Sequence, residues 1–142
     1  MPKPLDIFVW ITGSWKQFHR RLPIDVLGRL LEAEDKLWII DRPLELSTVI
    51  RYPSRLLTPF HLIQDNMHIF TPKLCIHDQI AYRSTVLEEI NLKLFEQQIM
   101  SLRRPESYPV YWMMHPSFWP YSRLIKDGYL IYDCYDEYTQ TP

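Results

Sequence analysis

Five short apolar runs set the limits on what this chain can fold into. They are Ile7–Ile11 (IFVWI), Leu37–Ile40 (LWII), Met67–Phe70 (MHIF), Val110–Met114 (VYWMM) and Tyr129–Tyr132 (YLIY). Each has the length of a strand and is rich in β-branched or aromatic residues. The first is continuous rather than alternating, the pattern of a strand buried on both faces, and Leu37–Ile40 reads as a second such strand. Helical spacing appears between them. Pro23 suits a first helical position, where a missing N–H costs nothing, and Ile24, Leu27, Leu30 and Leu31 follow on one face. Thr85-Val86-Leu87-Glu88 fits a capping box, with Thr85 as the cap. It opens a helix predicted to reach about Arg103, with Leu87, Ile90, Leu94, Phe95, Ile99 and Leu102 as its apolar stripe. A short helix at Ser122–Lys126, capped by Gly128, precedes the fifth run. Residues 43–66 hold Pro43, Pro53 and Pro59 without a clean period. They predict a long excursion with one short helix at its start, and residues 73–84 predict loop.

Strands alternating with helical segments are the mark of an α/β fold with a mostly parallel sheet. Right-handed crossovers leave few topologies, the simplest being a Rossmann-like doubly wound parallel sheet of about five strands, order 3-2-1-4-5. The 142 residues suit one domain, 1–142.

Composition removes several function classes. Only Gly13, Gly28 and Gly128 are present, so neither a GxGxxG dinucleotide turn nor a Walker A loop exists. No GxSxG elbow or HExxH motif appears, and Cys75 and Cys134 have no CxxC spacing. No metal and no cofactor are therefore expected. Net charge is −1, and neither half carries the basic excess that binding a phosphate backbone demands, which argues against nucleic acid. No basic segment with a long apolar core opens the chain. The longest uncharged stretch, Ser107–Ser122, is interrupted by Pro109, Pro116 and Pro120, too short and broken to span a bilayer as a regular helix. A cytoplasmic, reduced chain is the expectation.

Ligands of open α/β sheets bind beyond the carboxyl ends of the strands, where strand order reverses. Here that edge carries Thr12, Gly13, Ser14 and Trp15 after the first run. His115, Pro116, Ser117, Phe118 and Trp119 follow the fourth run, and Asp133, Asp136 and Glu137 follow the fifth. His19 and Arg20 lie close to the first loop in sequence. Each has a structural alternative: Asp133 as a strand-end cap, Asp136 and Glu137 as a solvated turn, His115 as a loop histidine, and Trp15 and Trp119 as packing.

The segment Tyr129–Tyr138 (YLIYDCYDEY) resembles the YDCxDE/D-aromatic element of bacterial glycosyltransferases of the two-domain GT-B fold, especially the family-4-like and teichuronic-acid-type enzymes. His19-Arg20-Arg21 stands where that family commonly shows HRP, and a second strand ends near Arg42-Pro43. Val110–Tyr121 (VYWMMHPSFWPY) is similar to the family's fourth strand and aromatic loop. The likeness is strongest over residues 108–138. It implies the N-terminal, acceptor-binding half of a glycosyltransferase of cell-envelope polysaccharide biosynthesis, inactive without a C-terminal domain that binds the nucleotide-sugar donor. It also implies a truncated or excised domain. By matched position, Asp136 or Asp133 would serve as base, with His115 behind. Trp15 and Trp119 would stack on a sugar, and His19 and Arg20 would hold a phosphate or hydroxyl of a lipid-linked acceptor. Gly13, Ser14, Ser117 and Glu137 complete the expected binding set. Peripheral contact at the inner membrane face is a further expectation. So is self-association through an apolar carboxyl-edge group of Trp15, Phe118, Trp119 and Tyr121. A non-catalytic α/β interaction module is the other reading.

Overall fold

A computed structural model describes residues 3–11, 15, 21–41, 43–57, 61–76, 80 and 83–133. The first two expected strands form as β1 (Leu5–Trp10) and β2 (Lys36–Ile40), joined through helix α1 (Arg21–Leu30). The excursion that follows is more structured than its sequence suggests. Residues 43–66 contain β3 (Leu44–Glu45), α2 (Leu46–Arg51), a 3-10 helix (Pro53–Leu57) and β4 (His61–Gln64); the third expected strand forms as β5 (Met67–Phe70), and β6 (Lys73–Cys75) replaces the start of the loop expected over 73–84. Helix α3 (Thr85–Leu102), β7 (Tyr108–Met113), a second 3-10 helix (Pro116–Leu124) and β8 (Tyr129–Tyr132) complete the order.

The main sheet has six strands rather than five, in the order β4-β5-β2-β1-β7-β8. It is mixed rather than wholly parallel. β5, β2, β1, β7 and β8 pair in parallel, and β4 is added antiparallel at the β5 edge. The fold class is therefore α/β with a mostly parallel sheet, and the expected order is corrected by that extra edge strand. β3 and β6 form a separate two-stranded parallel sheet.

The period of two in β1 divides the core. Ile7 and Val9, continued by Ile11, face one layer with Leu37, Ile39 and Met67, and Ile24 of α1 packs there. Phe8 and Trp10 face the other layer with Trp38, Ile40, Tyr111 and Met113, covered by Phe95 and Ile99 of α3. Helices thus cover both faces of the sheet. Gly28 lets α1 lie close, since a Cβ there would stand 3.3 Å from the Met67 sulfur.

Two local expectations are corrected. The N-cap of α3 is Ser84, not Thr85, and its side chain makes no capping bond. The buried face of α3 is Asn91, Leu92, Phe95 and Ile99, while Ile90 is exposed. The helix is turned by its polar residues. The Asn91 amide pairs with both the N–H and the C=O of Ile76, each at 2.7 Å. Two turns further along the same face, the Gln98 amide does the same to Lys73, accepting from its N–H at 2.7 Å and donating to its C=O at 3.0 Å. A buried backbone must find partners, and these side chains supply them where no strand does. The final short helix is a 3-10 helix that starts six residues earlier than expected, at Pro116. Gly128 ends the connection to β8 with φ at +93°, a left-handed conformation that glycine adopts without strain.

The amino-terminal edge of the sheet is fastened by charge. Asp6 is fully buried and accepts from the backbone N–H of Arg104 at 2.8 Å, from its Nε at 2.9 Å and from its Nη2 at 2.6 Å, and also from the Ser107 hydroxyl. Arg104 in turn donates to the carbonyls of Glu34 and Leu5. Asp35 accepts from the N–H groups of Leu5 and Glu32. Among the described residues, no helix is long and apolar enough to cross a membrane.

Candidate functional site

The carboxyl edge of the sheet holds a narrow cleft. Its walls are Trp10 and Ile11 at the end of β1, Ile40, Asp41 and Pro43 after β2, Phe95 of α3, and Phe118 and Tyr121 of the second 3-10 helix. Its free space is about 30 Å³, room for one or two groups the size of water. The reason for its position lies in the strands. β1 and β2 end in register at Trp10 and Ile40, and the continuation of β7 folds back as a 3-10 helix over the same layer. Aromatic side chains brace it: Trp10 lies 6.5 Å from Phe95, and Phe95 lies 4.5 Å from Tyr121, between ring centroids. Trp10 is buried, and among the described residues its indole N–H has no hydrogen-bond partner. Beside it, the Asp41 carboxylate accepts from the backbone N–H of Trp15 at 2.9 Å.

Of the sequence-derived candidates, four lie on the β7–β8 side of this edge. His115 immediately precedes the 3-10 helix that contains Ser117 and Trp119. The His115 ring stands edge-on to Phe118 at 6.2 Å, and its carbonyl accepts from the Phe118 N–H. Trp119 is 58% exposed and meets Tyr132 edge-on at 6.2 Å. Asp133 follows β8, where its N–H donates to the Met113 carbonyl at 2.9 Å and so extends the β7–β8 ladder. His115 and Asp133 are thereby placed at the ends of neighbouring strands. Trp15 is different. It is only 8% exposed and packs in the core layer of Ile11, Ile24 and Met114, so its ring offers no open face. Gly13, Ser14, His19, Arg20, Asp136 and Glu137 lie outside the described residues.

The expected apolar group at this edge is correspondingly smaller. Trp15 is buried, Phe118 and Tyr121 are half-buried, and Trp119 is the member left open. Sequence reasoning missed Asp41, Phe95 and Tyr121 as parts of one cleft. The usable signal was Asp41 itself, a carboxylate directly after the apolar run LWII. Among the described residues, no group of three or more His, Cys, Asp or Glu could hold a metal ion.

A second hollow sits at the opposite, amino-terminal edge, lined by Lys3, Leu5, Leu30, Glu32, Glu34 and Asp35 among others. The Asp35 carboxylate there is already engaged by two backbone N–H groups. Comparison with known proteins finds no matching family model, no matching curated protein and no matching solved structure.

Proposed function

We propose that this chain is a sugar-binding α/β domain of Rossmann-like, doubly wound type, the acceptor side of a glycosyltransferase. The observation that carries the reading is an open Trp119 on the same carboxyl edge as an aromatic-walled cleft that Asp41 lines, with His115 and Asp133 after the neighbouring strands β7 and β8. Carbohydrates combine apolar C–H faces with hydroxyls. An open indole stacks on the former, and carboxylates accept hydrogen bonds from the latter. The cleft is too small for a pyranose ring, so it suits a single hydroxyl or a water bridging to one. In transfer, a carboxylate of Asp133 or Asp136 takes the proton of the acceptor hydroxyl, with His115 behind it, as that oxygen bonds to the anomeric carbon and the nucleotide leaves. The donor is held by a second domain, so the chain alone binds without turnover.

The test is titration of the full chain with short neutral oligosaccharides, followed by tryptophan fluorescence and by calorimetry. Saturable binding that weakens about tenfold in Trp119→Ala, the equivalent of about 1.4 kcal/mol, supports the reading. Sub-micromolar binding of a UDP- or GDP-sugar by this chain, or sugar binding indifferent to Trp119, overturns it.

A further inference from the structure

We infer that the outer face of α1 is the contact surface of a weak two-fold dimer, in which the α1 helices of two copies pack antiparallel across Val26. Ile24 fixes the inner face of the helix: it is fully buried and packs in one layer with Ile7, Val9, Leu37, Ile39 and Met67. At about 100° per residue, Leu22, Val26 and Leu30 stand about 160°, 200° and 240° round the helix from Ile24. They form one outward stripe and are 74%, 47% and 74% exposed. Leu30, expected from the sequence on the buried face, belongs to this stripe. The outward face of a surface helix ordinarily carries its polar residues. In α1 the described polar side chains, Asp25 and Arg29, are instead confined to one flank, at about 100° and 140°.

A second copy is the occupant that charge and symmetry select. A spacing of four makes the stripe a ridge, and two such ridges interdigitate with their helices crossing at about 50°. Turning one helix over about an axis through Val26 sets Val26 against its twin and Leu22 against the partner's Leu30. The same operation keeps both charged flanks on one side of the contact and reverses the order of one of them. Asp25 then lies about 3 Å along the helix from the partner's Arg29, and the ion pair forms twice. Among the described residues, neither side chain has an ion pair within its own chain. A parallel pair would instead lay each charged flank on the other helix's Pro23 side, where no charge answers it.

The ends of the contact match as well. Leu30 lines the hollow of about 580 Å³ at the amino-terminal edge, so the partner's Leu22 stands at its mouth. The lining sets Lys3 against Glu32, Glu34 and Asp35 and is therefore acidic. The first turn of α1 contains no acidic residue to meet the positive end of the helix dipole, and the partner's hollow brings carboxylates beside that end. A chain of net charge −1 repels its twin weakly. The three stripe residues offer roughly 200–250 Å² per copy, from the area over which a large aliphatic side chain gains its burial energy. With the flanks and the rim of the hollow, the pair stays below about 1,200 Å², the size of transient complexes. The expected dissociation constant is on the order of 100 μM.

Sedimentation equilibrium of the full chain at low salt, between about 10 μM and 1 mM, tests this over a span that brackets the expected constant. Wild type should pass reversibly from monomer to dimer. Val26→Lys, which brings two ammonium groups together at the axis, should stay monomeric at the upper concentration, and circular dichroism checks that the variant keeps its fold. Asp25→Arg sets arginine against arginine at both flanks and should weaken the dimer at least about fivefold. Combining it with Arg29→Asp restores opposite charges across the contact and should recover the dimer to within about twofold. A wild-type chain that stays monomeric throughout overturns the inference and leaves the stripe to a helix of another polypeptide. A dimer that survives Val26→Lys, or one that the exchanged pair of charges does not recover, overturns the antiparallel α1 contact.

Discussion

Replacing Asp6 by alanine removes the acceptor of four hydrogen bonds at the amino-terminal edge of the sheet. Three of the donors belong to Arg104 and one to Ser107. Asp6 is fully buried, and the Arg104 side chain is 22% exposed. Removing one partner of a buried pair costs about 3–5 kcal/mol, because the other is left without compensation. Arg104 keeps its bonds to the Glu34 and Leu5 carbonyls and reaches some solvent, so the lower half of that range applies, about 3–4 kcal/mol. Domains hold only about 5–15 kcal/mol in total, so this one contact decides a large share of the folding equilibrium. With a urea slope near 2 kcal/mol/M, the midpoint should fall by about 1.5–2 M. Equilibrium urea unfolding, read by tryptophan fluorescence and circular dichroism together, measures it. Arg104→Met is the companion variant. The double variant should lose less than the sum of the two single losses, by about 2 kcal/mol or more, since neither charge is then left alone. A midpoint shift below about 0.5 M for Asp6→Ala, or strict additivity in the cycle, would refute the claim that this pair fastens the edge.

Gly128→Ala should lower the melting temperature by about 5–15 °C, read by calorimetry, through the combined cost of strain and clash. The added Cβ would lie within 2.2 Å of the Pro109 carbonyl oxygen at a φ of +93°, so an unchanged melting temperature would show that the β7–β8 joint is looser than described. His68 is held below its ordinary pKa of 6.5, first by burial and then by the nearby charge of Lys36. The folded chain therefore resists taking up a proton that the unfolded chain accepts. Stability is undiminished above about pH 6.5 and is lost as pH falls from there through the lowered folded value. The stability difference between wild type and His68→Gln, measured by urea unfolding at pH 7.5 and 5.5, should shift against the wild type in acid; a constant difference counts against it.

The apolar runs made the central strands legible because burial on both faces leaves no charged residue in Ile7–Ile11 or Leu37–Ile40. Phe8, Val9, Leu37 and Ile39 are all fully buried. β4 carries no such mark. It is an edge strand whose Leu62 and Ile63 remain exposed, so its composition reports neither alternation nor continuity. β3 and β6 exist only through pairing with each other and through amides from a distant helix, and no window of local sequence contains those partners. The inward turn of Asn91 is hidden from the sequence for the same reason. Its polarity suggests an outward face, yet it is 4% exposed, because its hydrogen bonds are to buried backbone. Of the candidate site, the sequence let one list the loops at the carboxyl edge, because the apolar runs mark where each strand ends. What could not be read was which tryptophan would be open. Trp15 and Trp119 are equivalent in composition, and the Asp41 bond that accompanies Trp15 into the core is a tertiary contact.

The grip of α3 on residues 73 and 76 bears on how this protein tolerates change over generations. Asn91 and Gln98 hold peptide groups, which every amino acid presents alike except for the missing N–H of proline. The side chain of Ile76 can therefore drift without loosening the attachment, while that of Lys73 has a separate bond, its ammonium donating to the Leu56 carbonyl. The selective burden falls on the helix, where only a primary amide of the right length both donates and accepts at each place. Descendants of this sequence should keep an asparagine and a glutamine seven positions apart, facing a position 76 that varies except for proline.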